Sequence, residues 1–80
     1  MSNELREEHA KRLLSDKLFV EAFDTLEKNL LNSWHSSGVS ELDAREQIWL
    51  SLRLLERIRL HLTSIIETGE MAKKLKEYHI

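Results

Sequence analysis

The stretch Leu42-Asp43-Ala44-Arg45-Glu46-Gln47-Ile48-Trp49-Leu50-Ser51-Leu52-Arg53-Leu54-Leu55-Glu56-Arg57-Ile58-Arg59-Leu60-His61-Leu62-Thr63-Ser64-Ile65-Ile66 decides how this chain folds. Its apolar residues recur at helical spacing but spread well beyond one stripe. A helix that is apolar over most of its surface is normally buried over most of it. A chain of 80 residues has little other material with which to bury it. The main seam is Ile48, Leu52, Leu55, Ile58, Leu62 and Ile65. Trp49, Leu60 and part of Leu42 make a second seam, and Leu50 with Leu54 a third.

Working outward, this helix is expected over about residues 41–68. Ser40 predicts its N-cap, with Asp43 in the capping-box position that Glu more often holds. Gly69 predicts a left-handed cap at its end. A helix continuing through Gly69 would cost about 1 kcal/mol. Residues 70–78 then form a short basic tail helix, with Met71, Leu75 and Tyr78 on one side and Lys73, Lys74 and Lys76 supplying the charge.

Upstream, His35-Ser36-Ser37-Gly38-Val39 is a loop in which Gly38 supplies backbone freedom. Before it, Phe19, Phe23, Leu26, Leu30 and Trp34 step by four, three, four and four, which predicts an amphipathic helix over about residues 17–34. Leu18, Ala22 and Leu31 widen its stripe. Glu21, Asp24, Thr25, Glu27 and Lys28 are expected on its solvated face. So short a loop favours an antiparallel hairpin with the third helix. Trp34 is expected to pack at the turn, most simply against Trp49, although Trp49 also suits an interface anchor. Ser15-Asp16 is a fresh cap signal, and a short helix over about residues 4–14 precedes it. That helix carries only Leu5, Ala10, Leu13 and Leu14 as apolar residues, so it must dock on the hairpin or fray.

Composition narrows the class. The chain has no cysteine and no proline, and its glycines are Gly38 and Gly69. Disulfides and thiolate metal sites are excluded. A domain this small needs reinforcement, and oligomerisation is the means that remains. The polar, acidic start lacks the pattern of a secretory signal. No apolar run exceeds three residues, too short for a membrane span. We therefore expect a cytoplasmic protein. The net charge of −2 is uneven, with residues 1–47 acidic and residues 48–80 basic. Such polarity suits antiparallel association and gives no general reason to expect nucleic acid.

Candidate sites are few. His9, His35, His61 and His79 stand too far apart for a metal or catalytic cluster. Arg53, Arg57 and Arg59 lie near Glu56, so they read first as an ion-paired face and second as partner-facing cations. Gly38-Val39-Ser40 entering a helix has the outline of a helix-turn-helix. Trp34 stands where that motif needs a small residue, however, and Glu41 and Asp43 would face phosphates. No paired carboxylates, nucleophile elbow or glycine-rich phosphate loop occurs, so no catalytic residue, cofactor or small-molecule substrate is assigned.

The order Leu13-Leu14-Ser15-Asp16, Phe19-x-x-Ala22-Phe23, Leu30, Trp34, a polar turn, Ala44-Arg45-Glu46, Trp49 and Ile65-Ile66-Glu67-Thr68-Gly69-x-Met71-Ala72 resembles small helical proteins of tailed bacteriophages and prophages. These lie among head and packaging genes and have no assigned function. The likeness covers roughly residues 12–76 and implies a structural or assembly accessory of the virion, with phage structural proteins as further partners. It implies no catalytic residues.

These readings combine into one expectation: a single all-α domain over residues 1–80. An antiparallel helical hairpin, with a short first helix packed across it, is completed as a bundle by homo-oligomerisation. The expected interface residues are Trp49, Leu50, Leu54, Leu60, Arg53 and Arg57. On this division of seams, Leu55→Asp unfolds the domain, while Leu54→Asp or Leu60→Asp breaks assembly. The alternative is a nucleic-acid-binding packaging or regulatory accessory using Arg53, Arg57, Arg59, Lys73, Lys74 and Lys76.

Overall fold

The computed structural model describes residues 2–78. These form three helices, α1 (Asn3–Ser15), α2 (Lys17–Ser36) and α3 (Leu42–Tyr78), with no strand among the described residues. The protein is all-α.

Two local signals set the first break. The Ser2 side chain accepts the Leu5 N–H at 3.2 Å and starts α1. Asp16 is extended, with φ −70° and ψ 124°, and serves both flanking helices. Its N–H donates to the Leu13 carbonyl, while its carboxylate accepts the Phe19 N–H at 2.9 Å. One residue thus satisfies orphan groups at the end of α1 and the start of α2.

The helices lie in a simple register. Glu4 meets Lys76, Glu7 meets Lys73, and Lys11 approaches Glu70. Asp24 and Glu27 meet Arg59, and Ser37 meets Arg45. Partner numbers fall as residue numbers rise, so α1 and α2 both run antiparallel to α3. They follow one another along it. The first helix therefore does not pack across the hairpin. It lies against the C-terminal half of α3 and continues the line that α2 follows along the other half.

Gly69 does not end α3, which runs on to Tyr78 without a separate tail helix. No glycine among the described residues has a positive φ. The glycine is needed for space. A Cβ on Gly69 would lie 2.5 Å from the Glu7 Cβ and 2.9 Å from the Asn3 carbonyl oxygen. Its absence lets the α1 and α3 backbones approach closely, and Gly69 is fully buried there.

The turn also differs from expectation. α3 begins at Leu42, after Ser40. The entry is closed by the Glu41 N–H on the Gly38 carbonyl at 3.0 Å, and Gly38 itself does not use the left-handed region. Arg45 clasps the turn. It donates to the Ser37 hydroxyl at 2.8 Å and the Ser37 carbonyl at 3.3 Å, and its guanidinium lies 4.7 Å from the Trp34 ring centre. Trp34 thus packs beneath Arg45 rather than against Trp49, which is 55% exposed.

The result is a rod one helix thick, 62 × 23 × 17 Å, with a radius of gyration of 17.7 Å. A compact domain of this length would have a radius of about 12 Å. Ala10 is the one fully buried hydrophobic side chain among the described residues. Two helices in contact share one seam, and a single seam cannot enclose a core.

Candidate interaction surfaces

The seam between α2 and α3 runs through half-buried Phe19, Phe23, Glu27, Leu30 and Trp34 on one side. Arg45, Ile48, Leu52, Leu55 and Arg59 face them from the other. Two positions depart from the sequence reading. Leu26 is 49% exposed and Ile58 is 39% exposed, and their neighbours Glu27 and Arg59 take the inward places. Arg59 donates to Glu27 and to Asp24, each at 3.2 Å, and its guanidinium lies 5.3 Å from the Phe23 ring centre. Asp24 and Glu27, read as part of a solvated face, are therefore ion-paired across the hairpin.

This slip gives the hairpin two unlike sides. Residues advance by about 100° each around a helix. Asp24, Glu27, Leu52, Glu56 and Arg59 fall on one side of the seam. Trp49 and Leu60 lie further round α3 on that same side, with Arg53 between them, its guanidinium 6.0 Å from the Trp49 ring centre. On the opposite side, Leu26 and Ile58 border the seam, Ala22 and Leu54 lie next to them, and Leu18 and Leu50 form the outer margin. The expected interface residues thus divide. Trp49, Leu60 and Arg53 belong to a charged side, Leu50 and Leu54 to an uncharged one. Arg57 lies near the back of α3, between the two. Trp49, Leu50, Leu54 and Leu60 are each more than half exposed.

The crossing of α1 over α3 holds a polar site that the sequence reading missed. Glu7 is 1% exposed. Its Oε2 accepts from Lys73 Nζ at 3.0 Å and lies 3.8 Å from Lys11 Nζ, while its buried Oε1 has no protein partner. The hydrogen bond to Glu7 holds the Lys73 ammonium above the ordinary lysine value; burial opposes that shift, and the charges of Glu7, Glu4 and Glu8 reinforce it. In sequence, Glu7 reads as one more residue of the polar, acidic start. Nothing local marks it as buried, because the glycine that receives it lies far along the chain.

The cations of the nucleic-acid reading are largely committed within the chain. Arg53 pairs with Glu56, Arg59 with Asp24 and Glu27, Lys73 with Glu7 and Lys76 with Glu4. Arg57 and Lys74 have no carboxylate within ion-pair distance among the described residues. The acidic first half of the chain lies along its basic second half, so the charge polarity is spent on the hairpin itself.

Other features carry little chemistry. His9 lies 3.3 Å from the Arg12 guanidinium, His61 shares a shallow cleft with Arg6 and Ser64, and His79 is outside the described residues. Among the described residues, no three metal-type ligands come together. A hollow of about 530 Å³ is an open groove on α2 beside Leu14, Lys17, Val20 and Lys28. No described helix is long and apolar enough to cross a membrane. No protein-family model, curated protein or solved structure matches this chain.

Proposed function

We propose that this chain is a non-enzymatic, self-associating helical module, a hairpin that a second copy completes into a bundle. One observation carries the reading: the single chain leaves 6602 Å² exposed to solvent. A folded monomer of its mass exposes about 5,000 Å². The difference, about 1,600 Å² per chain, is of the order that each partner contributes to a homodimer interface. Much of the apolar surface of α3 remains outside the intramolecular seam, as the sequence reading anticipated for a chain this small. The phage resemblance supplies the setting: a virion structural or assembly accessory, acting in the host cytoplasm and carried into the particle.

Sedimentation equilibrium of the whole chain tests this reading. We expect a mass at least twice 9.5 kDa at micromolar concentration, falling on dilution as helicity is lost. A species that keeps the monomer mass at every concentration, with full helicity and a cooperative melt, overturns it. The nucleic-acid alternative draws no support from the arginine and lysine geometry, since most of those cations already face carboxylates.

A further inference from the structure

Building on that self-association, we infer that the second copy docks on the uncharged side of the hairpin, over Ala22, Leu26, Leu54 and Ile58, and leaves the Trp49–Leu60 side in solvent.

Charge decides between the two sides. Along α2, Leu18, Ala22, Leu26, Asn29 and Ser33 share the docking side, and none is charged. On α3 the residues interleaved with Leu54 and Ile58 toward the seam are Gln47 and Ser51, again neutral, while Arg57 and His61 stand at the outer margin, away from α2. The other side has Lys17, Asp24 and Lys28 on α2, and Glu46, Arg53 and Glu56 around Trp49 on α3. Interface centres are depleted in charge, because each ion buried there must be desolvated and paired again. A copy laid over Trp49 and Leu60 would have to cover those ions. A copy laid over Leu26 and Ile58 meets charge only at its outer margin, at Arg57, whose side chain can reach solvent.

Position supports the same choice. Leu26 and Ile58 flank the seam, so a second hairpin seated there continues the existing core. The small Ala22 lets a facing helix approach α2 closely. The patch is drawn from both antiparallel helices and lies near the middle of the 62 Å rod. It can pair with its own copy across a two-fold axis, which closes the assembly at two chains.

Two matched pairs of exposed-site variants test the inference. Leu54→Asp and Ala22→Glu load the docking side from separate helices. Leu60→Asp and Leu31→Glu load the other side, where Leu31 lies beside Glu27, Glu56 and Arg59, also from separate helices. Sedimentation gives the mass of each, and circular dichroism at high concentration checks helicity. We expect Leu54→Asp and Ala22→Glu each to weaken association at least tenfold, and Leu60→Asp and Leu31→Glu to leave it within twofold. A wild-type chain that associates while the Leu60 and Leu31 variants dissociate, or while all four behave alike, overturns the docking side but leaves self-association standing. A wild-type chain that is monomeric overturns both.

Discussion

Gly69 of α3 lies directly against Glu7 of α1, so close that a Cβ on the glycine would stand 2.5 Å from the Glu7 Cβ. In an exposed helix interior, alanine in place of glycine stabilises by about 1 kcal/mol. Here the added methyl also meets the Asn3 carbonyl oxygen at 2.9 Å, and backbone cannot swing aside as a flexible side chain would. Overpacking of this kind costs about 1–3 kcal/mol. Gly69→Ala is therefore expected to lower the melting temperature at fixed chain concentration by several degrees, since about 1 kcal/mol moves a domain of this size by about 4–8 °C. A higher melting temperature would mean that α1 does not seat on Gly69.

Lys73 makes the same crossing sensitive to alkali. Its ammonium is held above the ordinary value of 10.5, first by the hydrogen bond to Glu7. A group whose folded value is raised stabilises the fold fully below its unfolded value, and that stabilisation disappears as pH rises through the folded value. The docking of α1 should therefore weaken above pH 10.5 in the wild-type chain. Lys73→Met should melt lower at neutral pH and lose less than the wild type between about pH 9 and 12. Thermal melts across that range check both expectations. Parallel pH profiles for the two proteins would count against the Lys73–Glu7 pair as the cause.

Arg59 is expected to contribute through charge as well as packing. Its guanidinium reaches two carboxylates on α2 and the face of Phe23, but its side chain is 41% exposed. Solvent screening limits such pairs to about 1 kcal/mol or less each. Arg59→Ala should destabilise the hairpin by about 1 kcal/mol in dilute buffer. The gap from the wild type should narrow in about 1 M salt, where exposed charges are screened within about 3 Å. Denaturant titrations at low and high salt measure both gaps. An unchanged gap would assign the loss to packing against Phe23 alone.

Local physics made some elements legible in the sequence, and long-range packing hid others. Asp16 could be read because a cap depends on neighbours within three residues. Residues at four- and three-residue steps revealed Phe19, Phe23, Leu30 and Trp34 for the same reason. The choice of Leu26 or Glu27, and of Ile58 or Arg59, could not be made that way. Each pair is adjacent, either member fits the edge of the stripe, and the ion cluster that draws Glu27 and Arg59 inward needs both helices in place. Gly69 was misread because a glycine near the end of a helical pattern looks like a terminator. Its role in close packing becomes visible only when α1 lies over it. The division of exposed leucines into a charged and an uncharged side follows from that same slip of the seam.

The turn offers the last test, since it places its two structural roles on different residues. A Cβ on Gly38 would meet nothing nearer than the Glu41 side chain at 3.8 Å, and the backbone there does not need glycine. Gly38→Ala should therefore be neutral, or stabilising by up to about 1 kcal/mol through the unfolded chain. Arg45→Ala removes both hydrogen bonds to Ser37 and the cation over Trp34, and a contact of that kind on a partly buried aromatic contributes about 0.5–1 kcal/mol. It should destabilise the hairpin and shift Trp34 fluorescence to the red as the ring becomes wetter. The change should persist when Trp49 is replaced by Phe and vanish when Trp34 is. If Gly38→Ala proved the more damaging of the two, the turn would be held by backbone conformation and not by the Arg45 clasp.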